Sequence, residues 1–158
     1  MMNTQLTVDT LLARAEKYFP KKQLISRTSG GLLRFTYAEF AKRTRRLSDV
    51  LAKLGVKRGD RVGTLAWNEH RHFEAYFAIP SMGAVLHTIN IRLAPDQIAY
   101  IIQNAEDKIL IMDEGMVPTI EQIRDRIPTV QAFIILAGDD RLPETALKPV
   151  YHYEMLIE

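Results

Sequence analysis

The chain contains no cysteine, so disulfide staples, cysteine-ligated zinc and thiol nucleophiles are all excluded. No apolar run approaches membrane-spanning length, and Met1-Met-Asn-Thr-Gln5 lacks the basic-then-apolar plan of a signal peptide. Excess charge is scarce: 21 Lys and Arg stand against 19 Asp and Glu. A net charge of +2 is too small for the broad electrostatic footprint of a dedicated nucleic-acid binder. Neither G-x-G-x-x-G nor G-x-x-x-x-G-K-[ST] occurs, which removes the dinucleotide fingerprint and the Walker-type phosphate loop. Internal repeats and low-complexity tracts are missing too. What remains, 47% apolar and 25% charged residues over 158 positions, is the balance of one folded domain with its own core. The expectation is a soluble, cytoplasmic chain with no membrane span and no nucleic-acid partner.

The positive content centres on Arg61–Leu93. Arg61–Ala66 is apolar but too short for a helix, and it runs into the polar turn Trp67-Asn68. Phe73, Tyr76, Phe77 and Pro80 then recur at spacings of three and four, which predicts a helix. A second apolar run, Ala84–Ile89, stops at Asn90-Ile91-Arg92. Strand, helix and strand with no room for a hairpin make a βαβ unit with a right-handed crossover. Pro95 suits the first position of a helix carrying Ile98, Ile101, Ile102 and Ala105, and Lys108–Met112 reads as a third strand. Pro118 opens a helix bearing Ile120, Ile123 and Ile127, and Gln131–Leu136 is a fourth strand. The strand starts at 61, 84, 108 and 131 lie 23, 24 and 23 residues apart, the rhythm of an open, mostly parallel, helix-covered α/β sheet.

Upstream, Thr7 can cap a helix whose Val8, Leu11, Leu12, Ala15 and Phe19 share one face before Pro20. Gln23–Thr28 and Leu32–Phe35 flank Ser29-Gly30-Gly31 as a glycine-closed hairpin. Thr36 and Glu39 form a capping box that opens a helix burying Phe40, Leu47, Leu51 and Leu54 and stopping at Gly55. After Ala137 the pattern decays through Gly138, Asp139, Asp140, Pro143 and Pro149. The expected divisions are therefore 1–55 (helix, hairpin, helix), 56–137 (βα units) and 138–158 (a tail).

Open parallel sheets bind ligands at the carboxyl ends of their strands. Here those ends are Trp67-Asn68, Asn90–Arg92, Asp113-Glu114 and Ala137–Asp139. Trp67, Asn68, Asn90 and Arg92 are accordingly the candidate substrate-binding positions, although Trp67 also reads as a packing aromatic. Asp113 and Glu114 precede Gly115 and read as turn residues rather than a metal pair. His70 and His72 are two apart, about 200° around a helix, and cannot share one metal; a cap-adjacent or solvated role fits both. His87 reads as a core imidazole in a buried strand with no Ser, Asp or Glu partner nearby in sequence, and His152 falls in the irregular tail. Lys42, Arg43, Arg45 and Arg46 are the strongest candidate partner surface, with an ordinary wet helix face as the plainer reading. These residues define a fold and no self-contained active site.

Gly59–Leu110 nevertheless resembles something specific, the amino-terminal part of the AMP-forming acyl-CoA ligases. These belong to the adenylate-forming superfamily, which also holds luciferases and peptide-synthetase adenylation domains. Thr36-Tyr37 through Gly55 resembles the family's first long helix, and Gly59-Asp60-Arg61-Val62 the turn that leads into its sheet. Gly83-Ala84-Val85 leading to Asn90-Ile91-Arg92-Leu93 is similar to its most recognisable amino-terminal signature. Tyr153-Glu154 with Leu156-Ile157 resembles the segment that closes this region. The wording Gly63–Asn68, Arg71-His72 and Gly83–Thr88 is closest to the medium- and long-chain fatty-acid ligases.

The resemblance implies joining of a fatty acid or other carboxylate to ATP, with Mg²⁺ as phosphate counter-ion, and passage of the acyl group to coenzyme A. It implies that the chain is part of a larger amino-terminal domain, and that homodimers are possible. The family's Ser/Thr/Gly-rich phosphate loop ending in Pro-Lys-Gly, its nucleotide motifs and its catalytic lysine would all follow residue 158. No catalytic, cofactor-binding or metal-binding residue is therefore carried onto this sequence, and the chain alone is expected to bind none of these groups and to be inactive. The competing reading is a free-standing dimerisation or interaction module of ligase-like architecture, with Arg43, Arg45 and Arg46 facing an acidic partner. A receiver-like or flavodoxin-like domain fits less well, because it wants acidic residues at the first strand end, where Trp67-Asn68 stand.

Overall fold

A computed structural model of the chain describes residues 5–28, 30–138 and 141–158. Ser29, within the expected hairpin turn, and Asp139 and Asp140, beyond the fourth expected strand, lie outside the described residues. In chain order come α1 (Val8–Tyr18), β1 (Gln23–Thr28), β2 (Gly31–Thr36), α2 (Tyr37–Lys53), β3 (Arg61–Leu65), α3 (His70–Ser81) and β4 (Val85–Thr88). They are followed by α4 (Pro95–Ala105), β5 (Ile109–Asp113), α5 (Val117–Ile123), β6 (Ala132–Leu136), β7 (Val150–His152) and α6 (Tyr153–Ile157). Among the described residues β1 and β2 pair antiparallel, and the other five strands form one parallel sheet in the order β4-β3-β5-β6-β7. This is the expected open, parallel, helix-covered α/β architecture with an amino-terminal helix and hairpin.

The sheet's alternation decides which helix goes where. Leu65, Leu110, Met112, Phe133 and Ile135 point to one face and pack with Ile98 and Ile102 of α4 and Ile120 and Ile123 of α5. Val62, Ile109, Ile111, Ile134 and Leu136 point to the other, against Leu47 and Leu51 of α2, Ala75, Ala78 and Ile79 of α3, and Tyr153 and Ile157 of α6. Gly63 has to be small: an added Cβ would lie 2.9 Å from Leu110 and 3.0 Å from the buried Asp107 carboxylate. The capping box of α2 is complete, with the Glu39 N–H donating to Thr36 Oγ1 (3.2 Å) and the Thr36 N–H to Glu39 Oε2 (2.7 Å). Gly55, with φ of 91°, ends that helix as expected.

Four expectations are corrected. The tail carries β7 and α6: Val150–His152 pairs with β6, and Tyr153 is wholly buried beneath α2 and α3. The turn residues at 138–149 hide this in the sequence, and both elements are too short to show a period. In α1 the supposed single face divides: Leu12 is buried, whereas Leu11 and Phe19 are exposed, because the helix touches the rest of the molecule along a narrow strip. Thr7 is the N-cap residue of α1, but its side chain makes no cap bond; the Thr10 hydroxyl donates instead to the Thr7 carbonyl at 2.6 Å. The basic residues of α2 are not a free patch. Arg43 bonds Glu74 and Glu154, Arg45 pairs with Glu16, and Arg46 donates to the Ile157 carbonyl at 3.2 Å.

That last point exposes the polar heart of the α2–α3–α6 layer. Glu74 has no solvent contact and receives Arg43 Nε at 2.6 Å and the Tyr153 hydroxyl at 2.6 Å. Arg43 also holds Glu154 through Nη1 at 2.8 Å and Nη2 at 3.0 Å. Desolvation pushes the Glu154 carboxyl up, but the His70 imidazole and the Arg43 guanidinium outweigh it and bring it down from 4.5 to about 2. A carboxyl lowered by folding stabilises the native state above its unfolded value, and that stabilisation is lost as pH falls through the folded value. Urea midpoints should therefore decline between pH 4.5 and about 2, and Glu154→Gln should flatten the slope in that window. Thr36→Ala, which removes the cap acceptor of α2, should cost about 1 kcal/mol in the same urea titration.

Candidate functional site

The strand order turns at β3, which has β4 on one side and β5 on the other. Its outgoing connection (α3) and the next crossover (α4) cover opposite faces, so their ends part and leave a crevice at the carboxyl edge. A cleft of about 600 Å³ lies there. Trp67, Asn68, Glu69 and Arg71 come from the β3–α3 junction, Ile91 and Arg92 from the turn after β4, and Asp113–Met116 from the end of β5. Leu136 and Gly138 follow from β6, and Arg27 and Thr28 reach over from the hairpin.

The wall is fixed by its acids. Asp113 Oδ2 accepts the Trp67 backbone N–H at 2.6 Å, tying the end of β5 to the end of β3. Burial pushes the Asp113 carboxyl up from its ordinary value, against the lowering effect of that bond. Glu114 accepts the Gly138 N–H at 3.2 Å, which draws in the end of β6. Glu69 pairs with Arg71, whose Nη1 donates to the Ala137 carbonyl at 2.6 Å. Each of these carboxylates thus has a partner, whereas Arg27 and Arg92 make no ion pair among the described residues. The Arg92 guanidinium lies 5.9 Å from the centre of the Trp67 ring, which is 58% exposed. The cleft therefore offers two arginines that make no ion pair and an open aromatic face, within a lining that also carries the Asp113 and Glu114 carboxylates.

Three of the four candidate positions come together: Trp67, Asn68 and Arg92 all line the cleft. Asn90 is not on its wall; its Oδ1 accepts the Arg92 N–H at 2.9 Å and so shapes the turn that presents Arg92. Trp67 is a surface aromatic rather than a packing one, because the β3–α3 turn carries it past the last covered strand residue. Arg27 had no sequence signal and Thr28 stood out only as part of a glycine hairpin turn, since only the folding of the hairpin over the sheet edge brings them here. Arg71 was in view only as part of a family-like pair with His72.

The histidines are more engaged than their spacing implied. His70 and His72 are both cap-adjacent in α3 and both buried, not solvated. The His70 backbone N–H donates to Ser26 Oγ at 3.0 Å. His72 Nδ1 faces the Trp67 carbonyl at 3.3 Å and Nε2 faces Thr64 Oγ1 at 3.1 Å. A carbonyl only accepts, so Nδ1 carries the proton and Nε2 takes the threonine hydroxyl. His87 does have a carboxylate partner: Nδ1 lies 2.8 Å from Oδ2 of Asp107, twenty residues on in sequence. It sits on the edge strand β4 and is half-buried, since nothing among the described residues pairs with the outer side of that strand. Beside the cleft, and sharing Arg27, Asn68 and Glu69 with it, a more apolar hollow of about 520 Å³ is walled by Leu24, Ile25, Phe73 and Tyr76, with His72 among its lining.

A crevice at the topological switch of an open parallel sheet is where α/β domains of this class bind ligands. Comparison with known proteins gives the chain a family. Residues 12–153 match the model of the AMP-binding enzymes. The long-chain-fatty-acid–CoA ligase of Thermus thermophilus is 49% identical over 145 residues, 91% of this chain and 26% of that ligase. The medium-chain-fatty-acid–CoA ligase of Ectopseudomonas oleovorans is 37% identical over 158 residues, 99% of this chain and 29% of that protein. The crystal structure of the anthranilate CoA ligase AuaEII with anthranoyl-AMP superposes with a TM-score of 0.85 at 21% identity, over 99% of this chain and 28% of that one, a likeness of fold. The chain belongs to the AMP-binding enzyme family and spans between a quarter and a third of the length of the two relatives named.

The neutral His72 yields a pH signature. Burial lowers its pKa from the ordinary 6.5, so the unfolded chain takes up the proton first as pH falls. Its contribution to stability is full above pH 6.5 and declines below it, through the lowered folded value. In urea titrations against pH, His72→Gln should remove part of the decline seen just below pH 6.5.

Proposed function

We propose that this chain is the amino-terminal portion of the large domain of a fatty-acid–CoA ligase, acting in the cytoplasm. The observation that carries this reading is the 49% identity to a long-chain-fatty-acid–CoA ligase along 91% of the chain. In the proposed reaction a fatty carboxylate attacks the α-phosphorus of ATP, giving an acyl-adenylate and releasing pyrophosphate. The thiol of coenzyme A then displaces AMP and forms the thioester. The logic is activation, because a carboxylate is a poor electrophile and AMP is a good leaving group.

Within that reaction the residues of this chain bind and orient. Arg92 and Arg27 supply positive charge at the cleft wall, Trp67 an apolar ring face and Asn68 a polar rim, while Asn90 holds the turn that aims Arg92. Mg²⁺, when bound in such ligases, neutralises phosphate charge. No group of three His, Asp or Glu among the described residues could hold a metal, so these residues do not fit such a site. The isolated chain is proposed to be inactive and to bind ATP and coenzyme A at most weakly. Assembly as a homodimer is part of the same family-level reading. The interaction-module alternative loses its motive, since Arg43, Arg45 and Arg46 are occupied within the chain.

Pyrophosphate release by the full-length protein bearing this segment should require ATP and a medium- or long-chain fatty acid, and its continued turnover should require coenzyme A as well. Absence of turnover with every fatty acid tried would sink the proposal. Arg92→Ala in that protein should weaken binding of an anionic ligand by about tenfold or more, the loss of one charge-assisted contact. Titration of the 158-residue chain with ATP should give no tight binding.

A further inference from the structure

We propose that Asp113 and His72 are positioning residues for Trp67, holding its ring as a fixed apolar platform for the acyl part of the substrate. The Trp67 ring is more than half exposed, so packing does little to hold it. Its backbone is gripped on both sides of Cα instead. On one side the N–H donates to Asp113 Oδ2 at 2.6 Å, at the end of β5. On the other the carbonyl accepts from His72 Nδ1 at 3.3 Å, in the first turn of α3, and from the Glu69 N–H at 3.0 Å. Fixing the N–H and the carbonyl of one residue fixes its two backbone dihedrals, and with them the direction of its Cα–Cβ bond. Both grips are anchored in turn. Asp113 pairs with Leu136 in the register of β5 and β6. The buried Thr64 of β3 lies 3.1 Å from His72 Nε2, and its hydroxyl keeps the imidazole in the Nδ1–H form that the Trp67 carbonyl needs.

Trp67 is the only aromatic among the described residues that line the cleft. It stands beside Asn68, where the polar cleft passes into the apolar hollow of Leu24, Ile25, Phe73 and Tyr76. The Arg92 guanidinium is 5.9 Å from the centre of its ring. A ligand with a charged head and a hydrocarbon chain matches that succession of cation, ring and apolar hollow. A ring already fixed loses little freedom when such a ligand arrives, so the grip on its backbone favours binding without touching the ligand. The proposal rests on the ligase reading for its substrate and on Asp113, His72 and Trp67 alone for its geometry.

Two measurements test it. Trp67 is the sole tryptophan of the 158-residue chain, so its indole resonance is unique and nitrogen-15 relaxation reads its order directly. The order parameter of the Trp67 backbone amide should be about 0.85, that of a rigid backbone, and should fall below about 0.6 in Asp113→Ala. His72→Phe keeps a ring without the donor and should lower it less, because the Glu69 N–H still holds the carbonyl. Asp113→Asn and His72→Asn, which return an acceptor and a donor to the same places, should recover most of the loss. In the full-length protein, Trp67→Ala should raise KM for a medium- or long-chain fatty acid about tenfold, with the loss falling on KM rather than kcat. Asp113→Ala should do the same and Asp113→Asn much less, while Asp113→Ala/Trp67→Ala should be no worse than Trp67→Ala. A Trp67 order parameter below about 0.6 in the parent overturns the proposal. So does Asp113→Asn behaving like Asp113→Ala, which would assign the effect to the lost charge. Additive losses in the double variant overturn it as well, since Asp113 would then act by a route other than Trp67. If Asp113→Ala loses the dispersed spectrum of a folded chain, the two His72 variants carry the same comparison. Absence of turnover with every fatty acid sinks the ligase reading and the substrate named here with it; a loosened Trp67 with KM unmoved sinks this proposal alone.

Discussion

A carboxylate with no solvent contact, Glu74 in the middle of α3, constrains how the molecule goes together. A charge so placed is tolerated only if its partners arrive with it, and removing one partner from such a pair typically costs about 3–5 kcal/mol. Its partners come from two other helices: Arg43 from α2 and the Tyr153 hydroxyl from α6. Three helices far apart in sequence are thereby fixed to one another on one face of the sheet. Since α3 begins at His70, directly after the cleft residues Trp67–Glu69, the same constraint sets the angle at which the β3–α3 turn leaves the sheet. Glu69, Arg71 and His72 then have one place to go, and each finds a backbone or side-chain partner there.

The cleft is a product of connectivity before it is a product of side chains. With β4 and β5 on opposite sides of β3, no helix can cover the carboxyl end of β3, and the turns that emerge there must line a crevice. Side chains then define its character. The acids brace the backbone, and the cations of Arg27 and Arg92 are left facing the opening. Family membership explains why such a crevice should exist, and the geometry explains which of this chain's residues can reach it.

Much of this was readable in the sequence, for identifiable reasons. The strands at 61, 85, 109 and 132 are short, strongly apolar and regularly spaced, so a parallel sheet followed from residue type and rhythm. The box of Thr36 and Glu39 is a local hydrogen-bond pattern and was equally legible. The elements that escaped notice, β7 and α6, have three and five residues and follow a stretch rich in turn formers. Their stability comes from long-range partners such as Arg43 and β6, which no local window contains. For the cleft, strand ends were the right places to look, and Trp67, Asn68 and Arg92 follow from that rule. Arg27 and the His87–Asp107 pair did not, because each depends on contacts between segments twenty or more residues apart.

The strand order β4-β3-β5-β6-β7 also bears on how a nascent chain could fold as it leaves the ribosome. Once β3 and β4 have paired, every later strand is added to the same flank of the growing sheet, in the order in which it is synthesised. No strand need be inserted between two that have already paired. At each stage one freshly made edge waits for the next piece, so assembly can keep pace with elongation.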